Sequence, residues 1–181
     1  MEPVARIATA DTVDAVELAA VAARTFPLAC PPSVAIADVA AFIDANLSDV
    51  RFAEYLADPR RLIFTAGHAG RIIGYAMMIS GVGDDPEVQR AVHIRPAAEL
   101  SKIYVLPAHH GSGVATALMD AALMAAADWH AGCVWLGVNQ KNQRAQKFYK
   151  RCGFTVNGTR TFRLGARDED DFVMVRPVGR A

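Results

Sequence analysis

Leu100-Ser101-Lys102-Ile103-Tyr104-Val105-Leu106-Pro107, with His110-Gly111-Ser112-Gly113-Val114-Ala115 close behind, decides how this chain folds. The first segment reads as a strand, ended by Pro107 because proline offers no N–H to a ladder. The second reads as a tight turn opening an Ala-rich helix that runs to about Trp129, ~25 Å at the α-helical rise. A strand feeding a Gly turn at a helix N-terminus is a ready anion site. First-turn N–H groups have no intrahelical partner, and the dipole is positive there. Gly111 and Gly113 allow positive φ and close approach of backbone to a phosphate.

Working outward, Val4 to Ile7 is a short strand, and Thr9 or Asp11 can cap the helix that follows. Val13, Val16, Ala20 and Ala23 recur on one face toward Phe26, and Pro27, Pro31 and Pro32 are expected to break that helix. Ser33 then caps Val34–Leu47, and Asp49–Ala57 is a third helical stretch. These pieces are core-covering helices or a lid over a pocket. Arg61–Ala66 and Arg71–Ser80 read as a hairpin turned at Gly70, with Gly74 marking a bulge or a close backbone approach. Residues 81–92 read as a long polar loop. Cys133–Val138 is an apolar strand. Asn142–Cys152 is the last helix, with Lys150 and Arg151 in its final turn and Gly153 just beyond it. Residues 154–156 and 171–175 read as a closing antiparallel pair, with Asp168-Glu169-Asp170-Asp171 as an acidic loop between them.

The 181 residues fit one domain, 1–181, with a sizeable core. Zero net charge argues against a general polyanion binder, so no nucleic-acid partner is expected. No apolar run reaches the length of a membrane span, and the N-terminus lacks signal-peptide character; no membrane partner and a cytoplasmic location are expected. Cys30, Cys133 and Cys152 are scattered, and His109 and His110 have no partner at metal-ligand spacing, so no metal is expected.

Three kinds of Gly turn bind phosphates. The Walker string is absent. The dinucleotide turn needs a third Gly, where Thr116 stands, and an acidic residue after the next strand, where Asn139 stands. The third kind belongs to the GNAT superfamily of N-acetyltransferases, which this chain resembles. Ile103-Tyr104-Val105-Leu106-Pro107 is similar to the family's strand, and His110 to Ala115 is similar to its pyrophosphate turn, with His110 replacing Arg or Gln. Asn142, Ala145, Phe148, Tyr149, Gly153 and Phe154 fill its second signature, Asn-x-x-Ala-x-x-Phe-Tyr-x-x-x-Gly-Phe. The resemblance implies an α/β (α+β) GNAT fold: a mixed, mostly antiparallel seven-stranded sheet, splayed at its centre, with helices on both faces. It implies acetyl-CoA as cosubstrate, its pantetheine arm along Ile103, Tyr104 and Val105. Its pyrophosphate would lie on His110, Gly111, Ser112, Gly113, Val114, Ala115 and Thr116. Asn142 and Tyr149 sit seven residues apart, on one helix face about 10 Å apart along the axis. Asn142 would bond the pantetheine arm, and Tyr149 would protonate the departing thiolate.

Acetyl transfer to an amine also needs a base, and Glu99, which by strand alternation shares a face with Ser101, Ile103 and Val105, is the candidate; the alternative is a surface carboxylate at a strand start. For Tyr149 the alternative is a core filler. Lys141, Arg144, Lys147, Lys150 and Arg151 make the last helix basic, a solvated face from which one or two can meet the 3′-phosphate. A narrower resemblance, through residues 99–105, 135–138 and 162–165, is to the bacterial spermidine/spermine acetyltransferase branch, although Asn139-Gln140 stands where that branch often has an aromatic-acidic pair. It implies a small primary amine as partner, a polyamine among the candidates, and leaves a homodimer open. A polyamine groove needs several carboxylates, and Glu99, Asp84-Asp85, Glu87 and Asp168–Asp171 are available; solvated acidic loops are the alternative. Acetylation of a protein lysine or N-terminus, or CoA sensing without turnover, are the competing functions.

Overall fold

A parting between two parallel strands organises the architecture, which the computed structural model describes over residues 2–179. Seven strands form one sheet in the order β1-β2-β3-β4-β5-β7-β6. They are β1 (Ala5–Ala8), β2 (Arg61–His68), β3 (Arg71–Ser80), β4 (Ala97–Val105), β5 (Cys133–Asn139), β6 (Thr155–Leu164) and β7 (Arg167–Pro177). Every neighbouring pair is antiparallel except β4–β5. Those two strands pair only at Ala97–Cys133, Ala98–Val134 and Glu99–Trp135. Beyond Glu99 they diverge, opening a wedge through the centre of the sheet. The mixed sheet and its central splay agree with the expected fold class.

Two register shifts set which side chains face where. Between β2 and β3 the shift falls beside Gly74, where a bulge was expected. A Cβ on Gly74 would meet the Tyr104 carbonyl at 3.0 Å and the Val114 and Leu118 side chains at 3.2 and 3.3 Å. Helix α5 (Val114–Asp128) therefore lies close against this face of the sheet, burying Val114, Leu118, Met119, Ala122, Ala125 and Ala126. Between β3 and β4, Met78 pairs with Leu100 and Met77 with Lys102, so Ser101 is the extra, bulged residue. The bulge changes the parity that simple alternation gives. Glu99, Lys102 and Tyr104 pair with Ile79, Met77 and Tyr75, which share one face, so Glu99 does not share a face with Ile103 and Val105. That face looks away from α5.

Helices α1 (Ala15–Ala29), α2 (Ile36–Asn46) and α3 (Asp49–Ala57) fill the chain between β1 and β2. The cap of α1 is Asp14, not Thr9 or Asp11; its carboxylate accepts the Val16 N–H at 2.9 Å. Pro27 lies inside the last turn of α1 rather than ending it. The carbonyl that would have received its missing N–H belongs to exposed Ala23, where water can satisfy it. The buried stripe is Leu18, Val21, Ala22, Thr25 and Phe26, whereas Val16, Ala20 and Ala23 are exposed. In so alanine-rich a helix periodicity alone selects no face; the bulk of Leu18 and Phe26 does. Helix α2 begins at Ile36 after Ala35, which makes no side-chain cap bond, so Ser33 caps nothing. Phe26 stacks on Phe42 at 4.6 Å and Phe42 meets Phe162 at 5.7 Å, joining α1, α2 and β6.

The segment 81–92 is not all loop. Pro86–Ala91 forms α4, with Asp85 as cap and Pro86 in its first turn. Glu87 accepts the Thr161 N–H at 3.1 Å, tying α4 to β6. Residues 168–171 are not a loop either; they belong to β7, and the closing pair is a long hairpin turned at residues 165–166. Helix α6 (Gln143–Arg151) bridges β5 and β6. Among the described residues no helix is long and apolar enough to cross a membrane.

Gly74→Ala should destabilise the protein by ~1–3 kcal/mol, because the added methyl overpacks backbone and two α5 side chains at once. Urea unfolding of the variant against wild type measures this.

Candidate active site

The turn before α5 has the backbone its glycines were expected to provide. Gly111 and Gly113 have φ of 77° and 85°, where side chains with a Cβ are strained. Gly113 caps α5 without a side-chain hydrogen bond, so the first-turn amides stay available. A cavity of about 540 Å³ opens there, lined by Val105, His110, Gly111, Gly113, Ala115 and Thr116 on one side. Asn142, Arg144, Ala145, Phe148 and Arg151 line the other. Ser112 and Val114 do not line it. Ser112 Oγ donates to the His109 carbonyl, and the Val114 side chain is buried in the core. His110 Nε2 bonds the Val105 carbonyl at 2.7 Å, so this side chain fastens the turn to β4 instead of reaching outward.

Through the wedge lies a second, smaller chamber of about 110 Å³, which shares Ala29, Asn142 and Ala145 with the first. Its walls are Lys102 and Tyr104 from β4, Gly137 and Asn139 from β5, Tyr149 from α6, Arg160 from β6, and Glu169 and Asp171 from β7, closed by Phe26 and Cys30. The first cavity is at the α5 side of the sheet and the chamber is on the other, because Lys102 and Tyr104 face away from α5.

Asn142 and Tyr149 meet in the chamber as expected from their spacing. The Asn142 side-chain oxygen accepts the Ala145 N–H at 3.2 Å, capping α6 and leaving its NH₂ group to donate elsewhere. Burial pushes the Tyr149 and Tyr104 phenols well above their ordinary value, which keeps both protonated. Ile103 is half-buried on the α5 face. Glu99 does not line the chamber but lies on its face, one bulged step from Lys102. Burial raises the Glu99 carboxyl above the ordinary range, against the opposing pull of Lys102, Arg160 and Arg61. The same burial lowers the Lys102 ammonium.

Lys102, Arg160, Glu169 and Asp171 were not singled out from sequence as individual site residues. Arg160 Nε pairs with Asp171 at 3.2 Å, and its guanidinium sits over Trp135 and Phe162 at 5.7 and 5.8 Å. Gly137 makes that position possible, because a Cβ there would collide with the Arg160 guanidinium. Of the acidic run, Glu169 and Asp171 point inward while Asp168 and Asp170 are exposed, as strand alternation next to inward Val173 and Val175 requires. Asp85 and Glu87 are engaged at α4. The predicted acidic groove is thus reduced to two residues of β7 and Glu99.

Comparison with known proteins agrees with this geometry. The family model described as "Acetyltransferase (GNAT) family" matches residues 27–154. Proteins of Mycobacterium bovis and Mycobacterium tuberculosis, each named an uncharacterized N-acetyltransferase, are 65% identical over 165 residues, covering 91% of this chain and 98% of theirs. Among solved structures, PaiA N-acetyltransferase from Thermoplasma acidophilum in complex with coenzyme A superposes with a TM-score of 0.77 at 18% identity, over 98% of this chain and 99% of that one. A GNAT-family acetyltransferase from Streptococcus pneumoniae gives a TM-score of 0.68 at 19% identity, over 98% and 100%. The matched sequence and the splayed sheet together make this chain a member of the GNAT family of acetyltransferases.

Proposed function

We propose that the chain transfers the acetyl group of acetyl-CoA to a primary amine of a small acceptor within one ternary complex, and that polyamines are the acceptor class. One observation carries this reading: a wedge joins an uncapped glycine turn on one side of the sheet to a buried acid–base chamber on the other. Amides of Gly111, Gly113, Ala115 and Thr116 hold the pyrophosphate, and Arg144 and Arg151 at the same mouth are cations within reach of the 3′-phosphate. Past Glu99 the edge of β4 has no strand partner toward β5, so Ile103 and Val105 can pair with the pantetheine amides. His110 occupies one lone pair of the Val105 carbonyl and leaves the other free.

In the reaction the amine nitrogen forms a bond to the thioester carbon, the C–S bond breaks, and the electron pair leaves on sulfur. Tyr149, kept protonated by burial, gives its proton to that thiolate. Glu99, whose raised carboxyl is the better base for it, takes one proton of the ammonium through water before attack, and the second, shed by nitrogen once the N–C bond has formed, passes through water to replace the proton Tyr149 gave up. Removing the amine proton makes nitrogen nucleophilic, and protonating sulfur converts the thiolate to a thiol, a much weaker nucleophile for the reverse attack. No covalent enzyme intermediate is needed.

Thiol release on mixing acetyl-CoA with amines tests the reading. Acetyl-CoA binding without thiol release from any amine would leave a CoA-binding sensor instead. Tyr149→Phe keeps the ring and should lower kcat ~10²-fold or more, with acetyl-CoA affinity unchanged; steady-state kinetics and calorimetry separate the two. The acidic limb of the kcat/KM profile should lie above the ordinary glutamate range, since activity needs Glu99 ionised and burial opposes ionisation. Glu99→Gln should remove that limb and regain rate only as rising pH frees more amine. Gly113→Glu puts a carboxylate in the phosphate turn at a left-handed residue, and calorimetry should find acetyl-CoA binding lost while the fold persists.

A further inference from the structure

Four charged side chains line the chamber and Glu99 lies beside them, and all of these but Glu169 face an opposite charge. Asp171 is paired with Arg160 at 3.2 Å. Glu99 and Lys102 lie in each other's field, each the largest opposing charge on the other. Glu169 is left over. It is 5% exposed, lines the chamber, and takes part in no ion pair among the described residues. Its Oε2 accepts from Asn139 Nδ2 at 3.3 Å, while its Oε1 is buried with no hydrogen-bond partner.

The surroundings hold Glu169 in that state. Asn139 Oδ1 accepts the Lys141 N–H at 2.9 Å, which turns the Asn139 amide so that its NH₂ meets Glu169. Gln146 Nε2 donates to the Asn139 and Gln140 carbonyls at 3.1 and 2.9 Å, fixing the β5–α6 turn behind Asn139. Cys30, half-buried, lines the same chamber. A desolvated carboxylate oxygen without a donor is costly, and an arriving cation relieves it.

Resting on the function proposed above, we propose that Glu169 is a specificity-determining residue: its Oε1 receives a second ammonium of the acceptor, selecting diamines and longer polyamines over monoamines. The reacting amine is a poor fit for that oxygen, because it must lose its proton to attack and a carboxylate holds the proton on. Glu169 also stands on the β7 wall, beyond the last β5–β7 pair at Asn139–Asp171, whereas Tyr149 stands on the α6 wall. Asp168 and Asp170 face solvent, so one distal cation is read here, not a row of them.

The test compares wild type and Glu169→Gln on straight-chain α,ω-diaminoalkanes and on the n-alkylamines of equal carbon number, with acetyl-CoA saturating. Wild type should favour the diamine. In the variant KM for the diamine should rise roughly 10- to 100-fold more than KM for the matching monoamine, the range of a hydrogen bond to a charged group. An equal effect on both amine series, a fall in kcat, or no effect would overturn the assignment. If Glu169→Gln does not fold, Glu169→Asp makes the same comparison with the charge kept on a shorter stem, and a rise in KM greater for the diamine than for the matching monoamine is again required. Calorimetric titration of the diamine into the protein loaded with coenzyme A reads docking without turnover. Diamine binding that depends on Glu169 without any thiol release would reject the transferase reading and keep the site; thiol release with no Glu169-dependent preference would do the reverse.

Discussion

Two parallel strands stop pairing after three residues, and everything else in the molecule is arranged around that failure. Unpaired backbone in the middle of a sheet is costly unless something satisfies it. The protein meets the cost with local devices. A bulge at Ser101 turns β4, the His110 ring takes up the Val105 carbonyl, and Gln146 Nε2 on α6 takes up the Asn139 and Gln140 carbonyls at the end of β5. What remains open is the edge of β4 past Glu99, which has no strand partner toward β5. The wedge is held apart by packing on both faces: α5 against Gly74 on one, and the Phe26–Phe42–Phe162 contacts on the other.

Charge in the chamber follows from the same geometry. The strands that flank the wedge carry ionisable groups into a place where water is scarce, so each is shifted or paired. Burial moves Glu99 up and Lys102 down, toward one another. The Arg160–Asp171 pair is possible only because Gly137 leaves its space empty. A chamber built from nearly cancelled charges answers strongly to one that is not cancelled, since little solvent remains to screen it.

The turn, the helix behind it and the α6 signature were legible because each depends on neighbours in sequence: positive-φ glycines, a cap, and side chains spaced along one helix. The mixed seven-stranded sheet and its central splay were legible through resemblance. What escaped was set by contacts between distant segments. Alternation on β4 was misread because a bulge cannot be seen in the order of its own residues; it needs Met77 and Met78 opposite. The inward pair Glu169 and Asp171 was hidden in an acidic run that looks like a loop until β6 pairs with it. Arg160 gave no signal at all, since the reason for its position is a missing Cβ at Gly137, on another strand. The Asp85-Pro86 pair did carry a readable helix start, with its cap and first-turn proline, but the surrounding glycines and acids obscured it.

The wedge passes through the sheet, and its two mouths lie on opposite faces. On the proposed reading, acceptor and cosubstrate do not share a doorway. Neither has to leave before the other enters, and a bound arm plugs the gap between them without blocking either exit. Topology imposes no compulsory order of addition. Any order seen in the kinetics of this chain must come from energetic coupling across the plugged gap, one ligand completing the wall against which the other packs.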